Sequence, residues 1–211
     1  MSDPILDAAG CVQLQARLTR NWNATAGPAQ GPPESTCPLL AHVALNHWHN
    51  HRIWALEDQA RRVDCDDSTI ADVKRCIDRE NQLRNDEIER IDDEIQRRIL
   101  ALPVSARPGA ESFSETPGSI LDRLSILSLR LHHMGAQATR HTAGGEHRER
   151  CRQKTEALHA QSDHLVQCLT TLVLRLGSGQ ARLYAMPHFK MYNDPALNPA
   201  LRAATTGAEP A

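Results

Sequence analysis

Apolar residues recur at helical spacing through two long stretches of the chain that contain few helix-breaking residues. Between Pro38 and Pro103 there is no other proline and no glycine, and between Pro117 and Pro187 there is no other proline. Because both residues are unfavourable inside helices, these stretches predict long helices. Period-two runs of β-branched and aromatic residues, which indicate strands, do not occur. The sequence therefore predicts an all-α fold, an antiparallel bundle of four long helices with a short N-terminal helix.

The first stretch predicts two helices. One runs from about Pro38 to Arg62. The second begins near Thr69, where Thr-Ile-Ala-Asp has the form of a capping box, and continues to about Leu102. Polar residues interrupt the apolar stripe of this second helix, namely Glu80, Asn81, Arg84 and Asn85. Such a gap on a core-facing side predicts a satisfied polar network or a wet site.

The second stretch predicts two further helices. The third runs from about Ser119 to Met134 and is apolar around most of its circumference, which is typical of a central element. Asp122 therefore falls on a buried element, where an unpaired charge is costly. The fourth helix runs from about Glu146 to Leu176 and ends at a glycine.

The two ends of the chain are predicted to lie outside a bundle domain of residues 38–199. Within residues 1–37, apolar spacing from Ile5 to Ala16 suits one short docking helix, and residues 24–36 form a linker rich in Gly, Pro and Ala. Residues 200–211 are predicted to be a disordered tail. Neither end has enough periodic apolar surface to define a core, so both are expected to be dispensable for folding.

Composition and charge exclude several classes of partner. The 24 Lys and Arg residues against 26 Asp and Glu leave no basic excess for nucleic acid, and 3% aromatic residues provide no base-stacking platform. The most apolar segment, residues 169–176, is about half the length of a bilayer span, so no membrane span is predicted. The N-terminal residues lack a signal-peptide pattern and the six cysteines lack a Cys-x-x-Cys motif. These features predict a cytoplasmic protein with reduced thiols.

Four polar motifs follow one another along the chain. They are WALEDQAR at 54–61, KRCIDRENQLRNDEIERID at 74–92, SETPGSILDRLSIL at 114–127, and KMYNDP at 190–195. In this order they resemble the bacterial family known as domain of unknown function 4254, over about residues 46–199. Genes for members of that family lie near genes for envelope glycosyltransferases. The resemblance thus implies a role in envelope polysaccharide metabolism, with a phosphorylated sugar or a sugar nucleotide as the ligand.

A carboxylate pair on the first long helix is the leading catalytic candidate. Glu57 and Asp58 precede Arg61 by four and three residues, which also suits a plain intrahelical ion pair. If the two carboxylates face the polar gap of the next helix, they can act as a base or hold a divalent cation. We therefore predict Glu57 and Asp58, with Arg84 and Asp86 on the next helix, as the catalytic residues.

Ligand-binding residues are predicted at three places. Asparagine is a poor helix former that a specific hydrogen bond explains better, so Asn81 and Asn85 are candidates, with a solvated charged face as the alternative. The third helix starts near Ser119, where free N–H groups can bind phosphate with help from Arg123; plain capping is the alternative. Polar residues near the C terminus predict a loop that closes over the cleft, or a structural turn. These residues are Lys190, Asn193 and Asp194.

No metal or cofactor is predicted. His47 and His51 lie one helical turn apart, which suits a shared metal, but no third ligand completes the pattern and a polar-aromatic surface explains them equally well. No glycine-rich phosphate loop occurs. The first hypothesis is a polar interhelical cleft that binds a small polar or anionic ligand. The second is a non-catalytic helical adaptor that binds a partner or self-associates, for instance as a homodimer.

Overall fold

The fold is all-α, as the sequence predicts. A computed structural model describes residues 5–24, 31–184, 186–187, 194 and 196–206. Those residues form six helices and no strand. The helices are α1 (Ala8–Ala24), α2 (Pro38–Ala60), α3 (Asp67–Leu100), α4 (Pro117–Thr139), α5 (Gly145–Gly177) and α6 (Pro199–Thr206). None of these helices is both long enough and apolar enough to cross a membrane.

Two helical hairpins pack around a shared core. Helices α2 and α3 form one hairpin, α4 and α5 form the other, and α4 contacts α1, α2, α3 and α5. The core contains fully buried side chains from α2 to α5, including Val43, Ile91, Leu121 and Leu169. The nearly all-apolar sequence of α4 is explained by this central position.

The capping residues of two helices lie three positions before the residues that the sequence suggests. The Asp66 side chain caps α3 by accepting a hydrogen bond from Thr69 N at 2.7 Å. Thr116 caps α4 in the same way, and its Oγ1 accepts a hydrogen bond from Ser119 N at 3.1 Å. A capping side chain accepts from the N–H two or three residues later. Thr69 and Ser119 are therefore the residues that donate to the cap, and both helices start earlier than predicted.

Helix α1 is part of the bundle core, which corrects the expectation that residues 1–37 lie outside the bundle. Cys11 and Leu18 are almost fully buried. Gln15 and Thr19 are buried as well, and Gln15 Nε2 donates to the carbonyl oxygen of Leu121 at 3.1 Å. Because part of the buried face of α1 is polar, the apolar pattern alone understates how much of the helix is packed.

The start of α4 lies directly against α3. Gly118 N donates to Asp92 Oδ1 at 2.7 Å, and a Cβ added at Gly118 would stand 2.6 Å from the carbonyl oxygen of Ile88. Only a residue without a side chain fits at this distance. This close approach fixes the height of α4 relative to α3, and thereby the position of the side chains that α4 directs at α2 and α3.

Candidate functional site

A buried carboxylate joins three helices. Asp122 of α4 is 5% exposed, and its Oδ1 accepts hydrogen bonds from Asn46 Nδ2 at 3.0 Å and Asn50 Nδ2 at 2.9 Å, both on α2. Nε of Arg84 on α3 lies 3.3 Å from the same oxygen. The charge that the sequence places on a buried helix is thus compensated by two amides and a guanidinium. The polar gap of α3 and the buried acid of α4 belong to one network.

Arg84 connects this network to the surface. Its Nη1 donates to Asn81 Oδ1 at 3.3 Å, and about a quarter of its side chain is exposed. Nε is near enough to Asp122 for an ion pair, yet it has no hydrogen-bond partner of good geometry among the residues described. We interpret the contact as charge compensation rather than a hydrogen bond, because a misaligned N–H contributes little at 3.3 Å. The guanidinium is therefore held in place with donor capacity remaining.

Arg84 lines a surface cleft of about 320 Å³ between α2, α3 and α4. We call this cleft the polar cleft. Its lining combines three arginines and two carboxylates with one amide and four apolar side chains. The lining residues are Asn50, Ile53, Trp54, Glu57, Asp58, Arg61, Arg84, Ile126, Leu129 and Arg130. The volume is within the range of small-molecule sites.

The cations of the polar cleft differ in how they are paired. Arg61 donates from Nη1 to Glu57 Oε2 at 2.6 Å, one helical turn away. Arg130 on α4 is exposed, and in the described part of the chain it has no hydrogen-bonded or ion-paired partner. Arg130 also lines two neighbouring grooves along α4 and α5. It is thus the cation of the cleft that is most available to an incoming anion.

An aromatic pair lies at the edge of the cleft. The rings of Trp54 and His133 are parallel, with centroids 4.5 Å apart. Burial lowers the pKa of His133, and the neighbouring His132 lowers it further, while the carboxylate of Asp58 opposes both effects. The ring of His133 is therefore mainly neutral at pH 7, and it packs on Trp54 as an aromatic surface.

The structure brings some of the predicted catalytic and amide residues together. Glu57, Asp58 and Arg84 line the polar cleft, and Asn81 reaches it through its hydrogen bond to Arg84. Asn85 and Asp86 are not among the lining residues. Asn85 is 8% exposed on α3. Asp86 Oδ1 accepts a hydrogen bond from Gln82 Nε2 at 2.8 Å on its own helix.

The other predicted ligand-binding residues that the structure describes do not line the cleft. The N–H groups of Gly118 and Ser119 already donate to side chains, so the start of α4 is capped internally. Arg123 pairs with Glu115 at 2.6 Å and lines a groove between α4 and α5. Asp194 Oδ1 accepts from Ala196 N at 2.8 Å, which is the structural turn of the alternative interpretation. Lys190 and Asn193 lie outside the described residues.

Sequence reasoning missed Asn50, Trp54 and Arg130 as site residues. Two of them carried a usable signal. Asn50 is an asparagine inside a helix, the same feature that singles out Asn81. Arg130 is a charged residue on a helix that is otherwise apolar almost all round. The position of Trp54 beside the arginines depends on how α2 packs against α4, which local spacing does not reveal.

His47 occupies a buried polar cluster rather than a metal site. Its Nδ1 lies 2.7 Å from Ser125 Oγ and its Nε2 lies 2.8 Å from Thr19 Oγ1, so both ring nitrogens are engaged. Burial lowers the pKa of His47 to about 3, with a further contribution from His51. Within the ranges that the structure describes, no three His, Cys, Asp or Glu side chains meet in a way that could hold a metal ion.

Comparison with known proteins places these helices in a family. The family model described as a protein of unknown function (DUF4254) matches residues 40–184. The chain belongs to the DUF4254 family. The DUF4254 match includes most of α2 and all of α3, α4 and α5, and with them every residue that lines the polar cleft. Helix α1 precedes the DUF4254 match. No curated protein and no solved structure matches the chain.

Proposed function

We propose that this protein binds a small phosphorylated ligand, a sugar phosphate or a sugar nucleotide, in the polar cleft. The observation that carries the proposal is that one cleft is lined both by Arg84, which the buried Asp122 holds in place, and by Arg130, which has no ion-paired partner among the described residues. Guanidinium groups bind phosphate through paired, charge-assisted hydrogen bonds. A preorganised arginine also loses little side-chain entropy when the ligand binds.

The remaining cleft residues suit the sugar part of such a ligand. Glu57 and Asp58 provide carboxylate oxygens that accept hydrogen bonds from hydroxyl groups. Asn50 Nδ2 already donates to Asp122 and Ser125, which leaves its Oδ1 to accept from a ligand hydroxyl, and Trp54 adds an apolar surface. Cationic and anionic groups therefore lie in the same cleft, which favours a ligand with both a phosphate and hydroxyls over a simple anion. The family resemblance supports envelope polysaccharide metabolism in the bacterial cytoplasm as the setting for this proposal.

The concave arrangement supports ligand binding over the adaptor hypothesis. An adaptor would spread its polar motif residues over a flat face, whereas a binding site would gather them in a concavity. Glu57, Asp58 and Arg84 come from two helices and line one cleft. Arg123 and Asp86 do not line this cleft, and each contacts another side chain instead, Glu115 and Gln82 respectively.

A thermal-shift experiment tests the proposal. Inorganic phosphate, glucose 1-phosphate, UDP-glucose and unphosphorylated glucose are each added to the full chain. A ligand that binds only the folded state stabilises it by about 2.7 kcal/mol at a hundredfold excess over its Kd. We expect at least one phosphorylated sugar to raise the melting temperature more than phosphate alone, and glucose to leave it unchanged.

Two arginine variants on α4 locate the site. Arg130→Ala should abolish the shift without unfolding the protein, because Arg130 is exposed and no described residue pairs with it. Arg123→Ala is the matched control, because it removes an equal charge from the neighbouring groove between α4 and α5. The ligand should still raise the melting temperature of this variant. A shift that persists in Arg130→Ala contradicts the proposal. A chain that responds to no compound but self-associates in a concentration series favours the adaptor.

A further inference from the structure

Two cysteines from different parts of the chain line a second pocket, of about 450 Å³, between α1, the start of α2 and α3. Cys37 is the residue immediately before α2 and is partly exposed. Cys11, on α1, is 1% exposed. Both cysteines line the same pocket, and Cys37 is near enough to Cys11 to raise the pKa of the Cys11 thiol. The polar cleft shares none of the lining residues of this pocket.

The surroundings of Cys37 favour a thiolate. Nη2 of Arg98 donates to Cys37 Sγ at 3.4 Å, and Cys37 occupies the capping position of α2, at the positive end of the helix dipole. Burial by itself raises the pKa of Cys37, but the N–H of Leu40 and the Arg98 guanidinium outweigh it, so the pKa falls below its usual value. Reactive cysteines are typically partly exposed and beside a cation or a helix N-terminus.

The surroundings of Cys11 have the opposite effect. Burial raises its pKa to about 12, with contributions from Asp7 and Cys37, which Arg98 only partly offsets. The charged groups around the pair are Asp7 and Arg17 on the α1 side, and Arg98 with its partner Glu94 on α3. The pocket thus holds one thiol that ionises readily and one that stays protonated at neutral pH.

We propose that Cys37 is a nucleophilic thiol that hydroperoxides oxidise, and that Cys11 then forms a disulfide with it. The thiolate sulfur of Cys37 attacks the terminal oxygen of the hydroperoxide. The O–O bond breaks, an S–O bond forms, and the alkoxide takes up a proton and leaves as an alcohol, or as water from hydrogen peroxide. Cys37 is then a sulfenic acid. The sulfur of Cys11 attacks it, an S–S bond replaces the S–O bond, and the hydroxide leaves with the Cys11 proton as water.

Arg98 links this chemistry to the docking of the N-terminal segment. Its Nε donates to Glu94 Oε1 at 3.0 Å and its Nη1 donates to the carbonyl oxygen of Ile5 at 3.3 Å. The same guanidinium therefore contacts the segment before α1, the start of α2 and α3. A Cys11–Cys37 disulfide would join α1 covalently to α2. Oxidation is thus expected to strengthen the attachment of α1 to the bundle.

The first test measures thiol alkylation by iodoacetamide, with peptide mass spectrometry to separate the sites. Each pKa unit below the usual value raises the thiolate fraction at pH 7 about tenfold and lowers its nucleophilicity about threefold, so the net gain in rate is about threefold. Because its pKa lies below the usual value, Cys37 should react faster than Cys76 at pH 7. Cys76 is the control because it is more exposed and lies on the same bundle. A Cys37 rate at or below that of Cys76 overturns the proposal.

The second test oxidises the full chain with hydrogen peroxide. The wild type should form a Cys11–Cys37 disulfide. In Cys11→Ser, dimedone should trap a sulfenic acid at Cys37, whereas Cys37→Ser should leave Cys11 unmodified. Serine is a good helix N-cap, so the Cys37 variant should still fold, which circular dichroism checks. A dimedone adduct at Cys37 without any disulfide in the wild type overturns the role of Cys11. Absence of both products overturns the whole proposal.

Discussion

The carboxylate of Asp122 accepts hydrogen bonds from Asn46 and Asn50 and compensates the charge of Arg84. A buried ion pair of this kind contributes little net stability, but removing one partner leaves the other charge buried and unpaired. The main effect of Asp122 is therefore to fix where Arg84 lies. Orientation of a binding residue by a buried partner is a common feature of functional sites.

We predict that Asp122→Ala costs about 3–5 kcal/mol of unfolding free energy, because it removes the countercharge of Arg84 and one acceptor of each of two buried amides. Arg84→Ala should also cost several kcal/mol, though less, since part of that side chain is exposed. Arg61→Ala is the control in the same cleft, and its exposed pair with Glu57 is worth about 0–1 kcal/mol. Thermal unfolding measures all three. A change of 1 kcal/mol moves the melting temperature by roughly 2–4 °C. Equal melting temperatures for the Arg84 and Arg61 variants would show that Arg84 is not held by the network.

His47 gives a prediction for pH dependence. Its pKa is about 3 in the folded protein and near 6.5 in the unfolded chain. Between these values the unfolded state binds a proton that the folded state does not, so stability falls as the pH drops from about 6.5 towards 3. Titration of His47 changes the unfolding free energy by at most about 1.4 kcal/mol per pH unit, and it has no effect on the pH dependence above the pKa of the unfolded chain.

Urea unfolding between pH 4.5 and 7.5 checks this effect in wild type and in His47→Gln, which keeps a polar side chain in the cluster. The variant should be less stable at pH 7.5 and should lose less stability on acidification. His159→Gln, an exposed substitution on α5, should behave like wild type. If the wild type and His47→Gln curves run parallel, His47 is not the buried neutral group that the structure shows.

At the scale of elements, the four long helices and the N-terminal helix follow from the sequence, while their exact starts do not, and α6 lies where a disordered tail is predicted. The capping signals at Thr69 and Ser119 correctly indicate nearby helix starts, but the caps are Asp66 and Thr116. Any Ser, Thr or Asp near the boundary can serve as a cap, and the backbone decides which one does. The role of α1 was hidden for another reason, because Gln15 and Thr19 fill core positions with polar atoms.

The contact between α3 and α4 gives a prediction with a built-in control. Gly118→Ala places a methyl group 2.6 Å from the carbonyl oxygen of Ile88, so α4 must shift, and we expect a cost of about 1–3 kcal/mol. Gly135→Ala, on the same helix, meets nothing within 4 Å and should stabilise by about 0.5–1 kcal/mol. Changes of opposite sign in the unfolding free energy of the two variants, measured by chemical denaturation, support this packing. A neutral Gly118→Ala would show that the two helices are further apart.

The place of α1 in the core is tested by single substitutions rather than by deletion. Leu18 is 3% exposed and packs with Trp22 and Ala44, so Leu18→Ala should cost about 2–5 kcal/mol. Arg20→Ala, two residues away on the exposed side, should change stability by about 0.5 kcal/mol or less. Circular dichroism melts compare the two. Similar melting temperatures for the two variants would show that α1 is not part of the core and is dispensable for folding.

At the scale of the whole molecule, the bundle and part of its site can be predicted from the sequence, but the side-chain contacts between helices cannot. Glu57, Asp58 and Arg84 could be proposed as neighbours because the polar gap of α3 needed partners on α2. The hydrogen bond between Asn46 and Asp122 joins residues 76 positions apart. Such pairs depend on how α4 packs against α2, and helical periodicity contains no information about that. The same limit explains why Arg130 was missed.

Nuclear magnetic resonance of the tryptophan side chains tests the polar cleft most directly. The chain has three tryptophans, of which Trp54 lines the cleft while Trp22 and Trp48 pack against each other near α1. The three indole N–H signals can be assigned with single Trp→Phe variants. On titration with glucose 1-phosphate or UDP-glucose, the Trp54 signal should shift saturably, and the other two should stay as internal references. A Trp54 signal that does not move with either compound, or saturable shifts confined to Trp22 and Trp48, would contradict a phosphorylated-sugar site in the polar cleft.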